Sequence, residues 1–299
     1  MKNTISILIR SLLALFLMVA MGNTLLAQDE EATTTTVRPV KNTFDGNWLI
    51  DNQTVMVPIK GSFEFDIQHR FGTVKNGYDD FWGLYAPANM RLGFSYAPIE
   101  KLNLGFGFTK SNLMWDFNAK YALFQQARSG GSPLSVTYFV NMGWDTRDDA
   151  LGKFHNNTDR FSYFHQLMVA RKVTDAFSVQ VAGSVSHFNS VPAYINTNKE
   201  ITGLMKNDHL AVSVSAKYKI GPWINIIANY DQPITQHKRN NPNPNVSFGL
   251  EMTSSSHTFQ IFAGNYSYLV PQRNNVFNSN DGGNGEFLIG FNITRLWNF

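Results

Sequence analysis

Cysteine is absent from the 299 residues, so the chain has neither a disulfide framework nor the lipidated N-terminal cysteine of a bacterial lipoprotein. Charge is scarce too. Asp, Glu, Lys and Arg make up 16% of the sequence, whereas a soluble domain usually carries about 25%, so part of the surface faces something other than water. The net charge of +3 is small and scattered, which argues against nucleic acid as a partner. Long apolar runs are also missing. Beyond the N-terminal leader nothing approaches the roughly 20 apolar residues of a membrane-spanning helix, so any crossing of a bilayer must use strands. There is no HExxH and no close His-x-His pair among the 7 histidines, and neither a metal nor another cofactor is expected.

Aromatics are plentiful by contrast, at 14% with 24 phenylalanines. Lys2 and Arg10 flank a start that runs into ten apolar residues at 12–21, and Leu25, Leu26 and Ala27 follow. This reads as a secretory signal peptide over residues 1–27, cut near Ala27, with an apolar core too short to span a bilayer. Residues 28–60 are predicted to be a flexible periplasmic lead-in, partly ordered, because 28–43 hold almost no large apolar side chains and a run of four threonines. Within it, Trp48-Leu49-Ile50 and Val55-Met56-Val57 flank Asp51-Asn52-Gln53. That pattern fits a small hairpin or a segment tucked into a lumen.

From residue 61 to 299 apolar and polar residues alternate with period two, the signature of half-buried strands. Phe63, Phe65 and Ile67 oppose Glu64, Asp66, Gln68 and Arg70; Leu210, Val212, Val214 and Tyr218 oppose His209, Ser213, Ser215, Lys217 and Lys219. Short turns at 97–100, 172–175, 220–222 and 253–256 interleave with long polar loops at 72–88, 144–159, 188–207, 231–245 and 267–284. Two connections depart from the rule, at 110–112 and 125–133. Short turns at one end and long loops at the other predict an all-β, transmembrane, antiparallel up-and-down β-barrel of about 12 strands. A soluble sandwich would have to bury Glu64, Asp66, Arg70, Asp116 and Lys120 at large desolvation cost.

The final strand, residues 285–299, puts Phe291, Ile293, Arg295, Trp297 and Phe299 on one face. It looks like the C-terminal insertion signal of outer-membrane barrels, carried by Phe291, Ile293, Trp297 and Phe299; Arg295 can snorkel to the headgroup layer. The expected partners are therefore outer-membrane lipid and, through this strand, the barrel-assembly machinery. The sequences His69-Arg70-Phe71-Gly72, Phe81-Trp82-Gly83-Leu84, Arg91-Leu92-Gly93, Leu104-Gly105-Phe106-Gly107, Val169-Ala170-Arg171-Lys172 and Gly290-Phe291-Asn292-Ile293 resemble a family of uncharacterised Bacteroidetes outer-membrane β-barrel proteins. The resemblance covers roughly residues 60–299. Tyr85 and Glu100-Lys101 depart from its usual acidic residue and Asp-Arg turn. It implies a fold and an outer-membrane location, and carries no activity.

Inward charges are the first functional candidates: Glu64, Asp66, Arg70, Arg91, Asp116, Lys120, Lys217, Lys219 and Glu251. They predict a charged lumen for porin-like passage of a small solute, or a polar network inside a closed structural or partner-binding barrel. Twelve strands fall between small filled barrels and wide porins. A third class is an outer-membrane lipid-modifying enzyme, for which Ser186, His187 and Ser190 are superficially suited, but adjacency in a Ser-rich strand does not define a catalytic site and no enzyme is expected. His187 and His209 end adjacent strands and could form half of a metal site. His165 falls on the lipid face, where it would mark a slip of register.

Overall fold

The computed structural model describes residues 38–149, 152 and 154–299. The expected signal peptide, residues 1–27, and residues 28–37 of the lead-in lie outside them. Two short strands come first, β1 (Trp48–Leu49) and β2 (Asn52–Gln53), paired as a hairpin. Seven wall strands follow: β3 (Ser62–Thr73), β4 (Asn89–Ile99), β5 (Leu102–Thr109), β6 (Met114–Phe124), β7 (Ser135–Asp145), β8 (Phe161–Lys172) and β9 (Phe177–Phe188). A loop hairpin, β10 (Ala193–Ile195) and β11 (Ile201–Leu204), precedes the last five: β12 (Asp208–Lys219), β13 (Ile224–Pro233), β14 (Asn245–Thr253), β15 (His257–Gly264) and β16 (Leu288–Asn298). One short helix, α1 (Pro271–Phe277), lies between β15 and β16.

The twelve wall strands form one closed barrel in sequence order, every neighbour antiparallel. Closure comes from β16 pairing with β3, with Phe291 opposite His69 and Trp297 opposite Phe63. All twelve strands expected from the alternation are present at the expected places. Closure removes both sheet edges and satisfies the backbone internally, which is what a bilayer demands. Along β12, His209, Ser213, Ser215 and Lys217 are buried, while Leu210 and Tyr218 are exposed. The same parity on the other strands leaves Leu104, Phe106, Trp115, Tyr121, Leu167 and Ile226 on the outer surface. A continuous apolar band of this kind would aggregate in water and is satisfied by lipid. His165 is exposed on the outer face with its register intact, opposite Val140, and its Nδ1 shares a 2.8 Å hydrogen bond with the Tyr138 hydroxyl.

The apolar core lies inside the barrel. Phe44, Leu49, Ile50 and Val55 pack there against inward Phe139, Phe164, Met168, Ile227, Phe262 and Tyr266. Residues 44–55 are thus both a hairpin and a luminal segment, whereas Ile59 and Lys60 are exposed. Polar composition suggested a free lead-in, yet the few apolar side chains find their burial within the wall. The hairpin turns through Ile50, whose φ of 62° is in the left-handed region. A β-branched residue there is strained by about 1–3 kcal/mol and persists only where its surroundings hold it. At the opposite end α1 folds inward and caps the loop side: Gln272 is buried and donates to Asn141 at 3.1 Å and Ser162 at 3.3 Å.

Candidate functional site

The inward charges meet different partners. Arg91 on β4 sits between two carboxylates, donating to Asp66 of β3 at 2.9 Å and to both oxygens of Asp116 of β6 at 2.8 and 2.9 Å. Glycines make the room: a Cβ at Gly93 would collide with the Asp66 carboxylate, and one at Gly107 with the Arg91 guanidinium. Two carboxylates around one guanidinium leave no uncompensated buried cation, the condition under which buried ions persist. Arg70 lies over the Phe262 ring at 4.5 Å and donates to Asn292 at 2.9 Å. Glu251 accepts from Asn225 at 2.9 Å and Gln260 at 2.7 Å.

Glu64, Lys120 and Lys217 grip the plug. Lys120, 1% exposed, donates to Asn47 Oδ1 and Gln53 Oε1, both at 2.9 Å, and to the Thr54 carbonyl at 3.3 Å. Asn47 in turn donates to Glu64 at 3.0 Å. Lys217 reaches Asp45 at 3.0 Å. Lys219 is exposed at the turn-side rim, where it lines a cavity. All of the expected luminal charges other than Lys219 are buried inside the wall.

Several functional side chains escaped the sequence reading because their partners lie on the hairpin. Asp51, at its tip, accepts from the Tyr266 hydroxyl at 2.7 Å, Asn229 at 3.4 Å and Asn274 at 3.3 Å. Asn52 donates to Asp231 at 2.8 Å. Gln180 accepts from Val55 N at 2.9 Å and donates to the Gln53 carbonyl at 2.8 Å. Gln260 treats the other arm alike, accepting from Ile50 N at 3.1 Å and donating to the Trp48 carbonyl at 2.9 Å. Asp231 was legible in principle, since Asn225, Ile227, Asn229 and Asp231 continue one face of β13. The hairpin is therefore a plug, and the side chains of Asn47, Asp51, Asn52 and Gln53 on it all have wall partners.

Cavities remain on either side of the plug. One of about 430 Å³ opens at the turn side. Another of about 360 Å³ opens among the loops, bordered by Arg160, Phe161, Tyr268, Arg273 and Phe277. There Arg273 lies 4.9 Å from the Tyr268 ring and 5.1 Å from that of Phe277. Among the loops, Lys75 bonds Glu286 at 2.6 Å and this hydrogen bond holds the Glu286 carboxyl below its usual range.

The candidate catalytic pair does not assemble. Ser186 is buried on the inner face, whereas His187 sits on the outer face of the same strand, bonded to Asp208 at 2.7 Å and Asn189 at 3.1 Å. Ser190 lies beyond the strand, at the loop-side cavity. His187 and His209 also fall on opposite faces, and His209 meets His237 instead, ring centroids 4.9 Å apart. Among the described residues no three metal-ligating side chains come together.

The sequence matches the model of the membrane bound beta barrel domain (DUF5777) over residues 44–297. The chain belongs to this family. The match begins at Phe44, the first apolar core residue of the plug, so the DUF5777 unit takes in the hairpin as well as the wall. A comparison with functionally characterised proteins finds no significant match. Similar solved structures include the NanC porin, at 9% identity over 79% of this chain and 99% of that one, TM-score 0.47. The KdgM porin shares 10% identity over 80% and 99%, TM-score 0.43. An outer-membrane channel from Pseudomonas putida F1 shares 12% identity over 81% and 97%, TM-score 0.47.

Proposed function

We propose that this DUF5777 barrel resides in the outer membrane and gives a small solute porin-like passage when its N-terminal plug is displaced. The observation that carries this reading is the chemistry of the plug and wall interface. A lumen filled only for stability gains as much or more from apolar packing than from buried ions. Here the contacts run through Lys120, Asp51, Asn52, Asp231, Gln180 and Gln260, groups that water can satisfy on both surfaces once they part. The luminal ions Glu64, Asp66, Arg70, Arg91, Asp116, Lys120, Lys217 and Glu251 would then set charge selectivity, with Lys219 at the rim.

A second reading, a closed structural or partner-binding barrel without transport, is favoured by the cap that α1 adds above the plug. Cleavage near Ala27, a Bacteroidetes source, insertion through Phe291, Ile293, Trp297 and Phe299 by the assembly machinery, and the absence of an enzymatic role complete the proposal. The cysteine-free chain gives a clean test. Asn52→Cys with Asp231→Cys ties plug to wall under oxidation. Planar-bilayer conductance that is present in the reduced protein and abolished in the oxidised one supports gated passage. A barrel silent in both states, with heat-dependent gel mobility intact, supports the closed reading.

A further inference from the structure

The turn-side cavity of about 430 Å³ is lined by the start of the plug and by the turns that follow β8, β12 and β14. Its volume falls in the range of about 300–1,000 Å³ usual for small-ligand sites. Four lysines border it, Lys41, Lys172, Lys217 and Lys219, against two aspartates, Asp45 and Asp175, so four minus two leaves a surplus of two positive charges. Lys217 is 5% exposed and its ammonium is fixed, donating to Asp45 at 3.0 Å and the Asn42 carbonyl at 3.2 Å. Lys172 donates to the Lys41 carbonyl at 3.3 Å and stands 3.7 Å from Asp175, a carboxylate wholly in solvent. Lys41 and Lys219 are exposed cations on the same cavity.

Trp223 gives the cavity a second character. A tryptophan at the end of a transmembrane strand ordinarily faces lipid as part of an aromatic girdle. Outward positions on this strand are Ile224 and Ile226, and Trp223 shares the opposite parity with inward Asn225. It is 65% exposed, yet it lines the mouth rather than the belt. An amphipathic ring beside free ammonium groups, with the hydroxyls of Thr253, Ser254 and Ser255 on the same wall, is a combination that recognises a flat polyhydroxylated body carrying an anion.

We propose that the turn-side mouth is a binding site for an anionic solute of sugar size, phosphorylated or carboxylated, held by Lys41, Lys172 and Lys219 and stacked on Trp223. The site stands whether or not the plug moves. Its rim also meets the headgroup layer, so the same chemistry could take the phosphate of a lipid, and the experiment separates the two sources.

Calorimetric titration of the full-length protein in zwitterionic detergent uses glucose 6-phosphate, inorganic phosphate and glucose, followed by nanodiscs with and without phosphatidylglycerol. Saturable binding of glucose 6-phosphate, absent for glucose, weakened about tenfold by Lys41→Gln with Lys219→Gln and weakened by salt, is the expected result. Trp223→Leu should erase the preference for glucose 6-phosphate over inorganic phosphate while leaving the latter's affinity in place. Binding of glucose 6-phosphate that disappears only in phosphatidylglycerol nanodiscs supports the site and names lipid phosphate as its occupant there. Anion binding unchanged by the lysine pair, or no binding of either phosphate by a protein with normal heat-dependent mobility, overturns the proposal.

Discussion

Replacing Lys120 with methionine keeps an unbranched side chain on the inner face of β6 and removes the ammonium that three plug acceptors share. Asn47 Oδ1, Gln53 Oε1 and the Thr54 carbonyl lie 2.9, 2.9 and 3.3 Å from it. Hydrogen bonds to a charged group contribute about 1.5–3 kcal/mol each net of the water they replace, so three sum to about 5–9 kcal/mol. They share one ammonium and do not add in full, so this sum is an upper bound. The net loss of plug docking is then about 2–4 kcal/mol, a shift of roughly 30- to 700-fold in the docking equilibrium at 1.4 kcal/mol per tenfold. Backbone amides of the plug are the direct reporter, since Ile50 N and Val55 N are bound to wall glutamines and exchange only when the plug leaves. Hydrogen exchange in nanodiscs should show those amides losing protection by that factor while the wall strands keep theirs. A Lys120→Met protein whose plug amides exchange within about twofold of the parent, on an intact barrel, would refute the idea that Lys120 holds the plug.

Removing the guanidinium with Arg91→Gln leaves Asp66 and Asp116 buried without their cation and should lower barrel stability by about 3–5 kcal/mol, read as a lower urea midpoint in folding gels. Gly107→Ala drives a Cβ into the Arg91 guanidinium and should destabilise the same network by about 1–3 kcal/mol, whereas alanine at Gly183, with open space around it, should be nearly silent. The Lys75 and Glu286 loop pair follows the sign of a depressed carboxylate. Its contribution is complete above the ordinary Glu range near pH 4.5 and is lost as pH falls through the lower folded value, so loop protection should fall on acidification below pH 4.5 and be screened by salt at neutral pH. Loop exchange unchanged between pH 6 and 3 would remove this pair as an anchor.

Period-two alternation, read against turn and loop lengths, determined the wall of this protein without further information. A strand shows which side chains share a face as soon as its phase is known, and two-sided chemistry with apolar Phe65 or Leu210 opposite Glu64 or Lys217 leaves only a barrel in lipid. Inward placement of the charges is a consequence of that phase. What the charges do inside depends on distances between strands remote in sequence, and periodicity carries none of these. Asp66 and Asp116 find Arg91 because β3, β4 and β6 close around it; Lys120 finds Gln53 because the chain before β3 folds back into the lumen. The plug residues Leu49, Ile50 and Val55 are too few to form a core alone, and Asn47, Asp51 and Asn52 are ordinary surface residues by type. Their place in the lumen rests on contacts with strands far away in sequence, because a short polar hairpin is as soluble in water as it is inside a polar barrel until the wall supplies its partners.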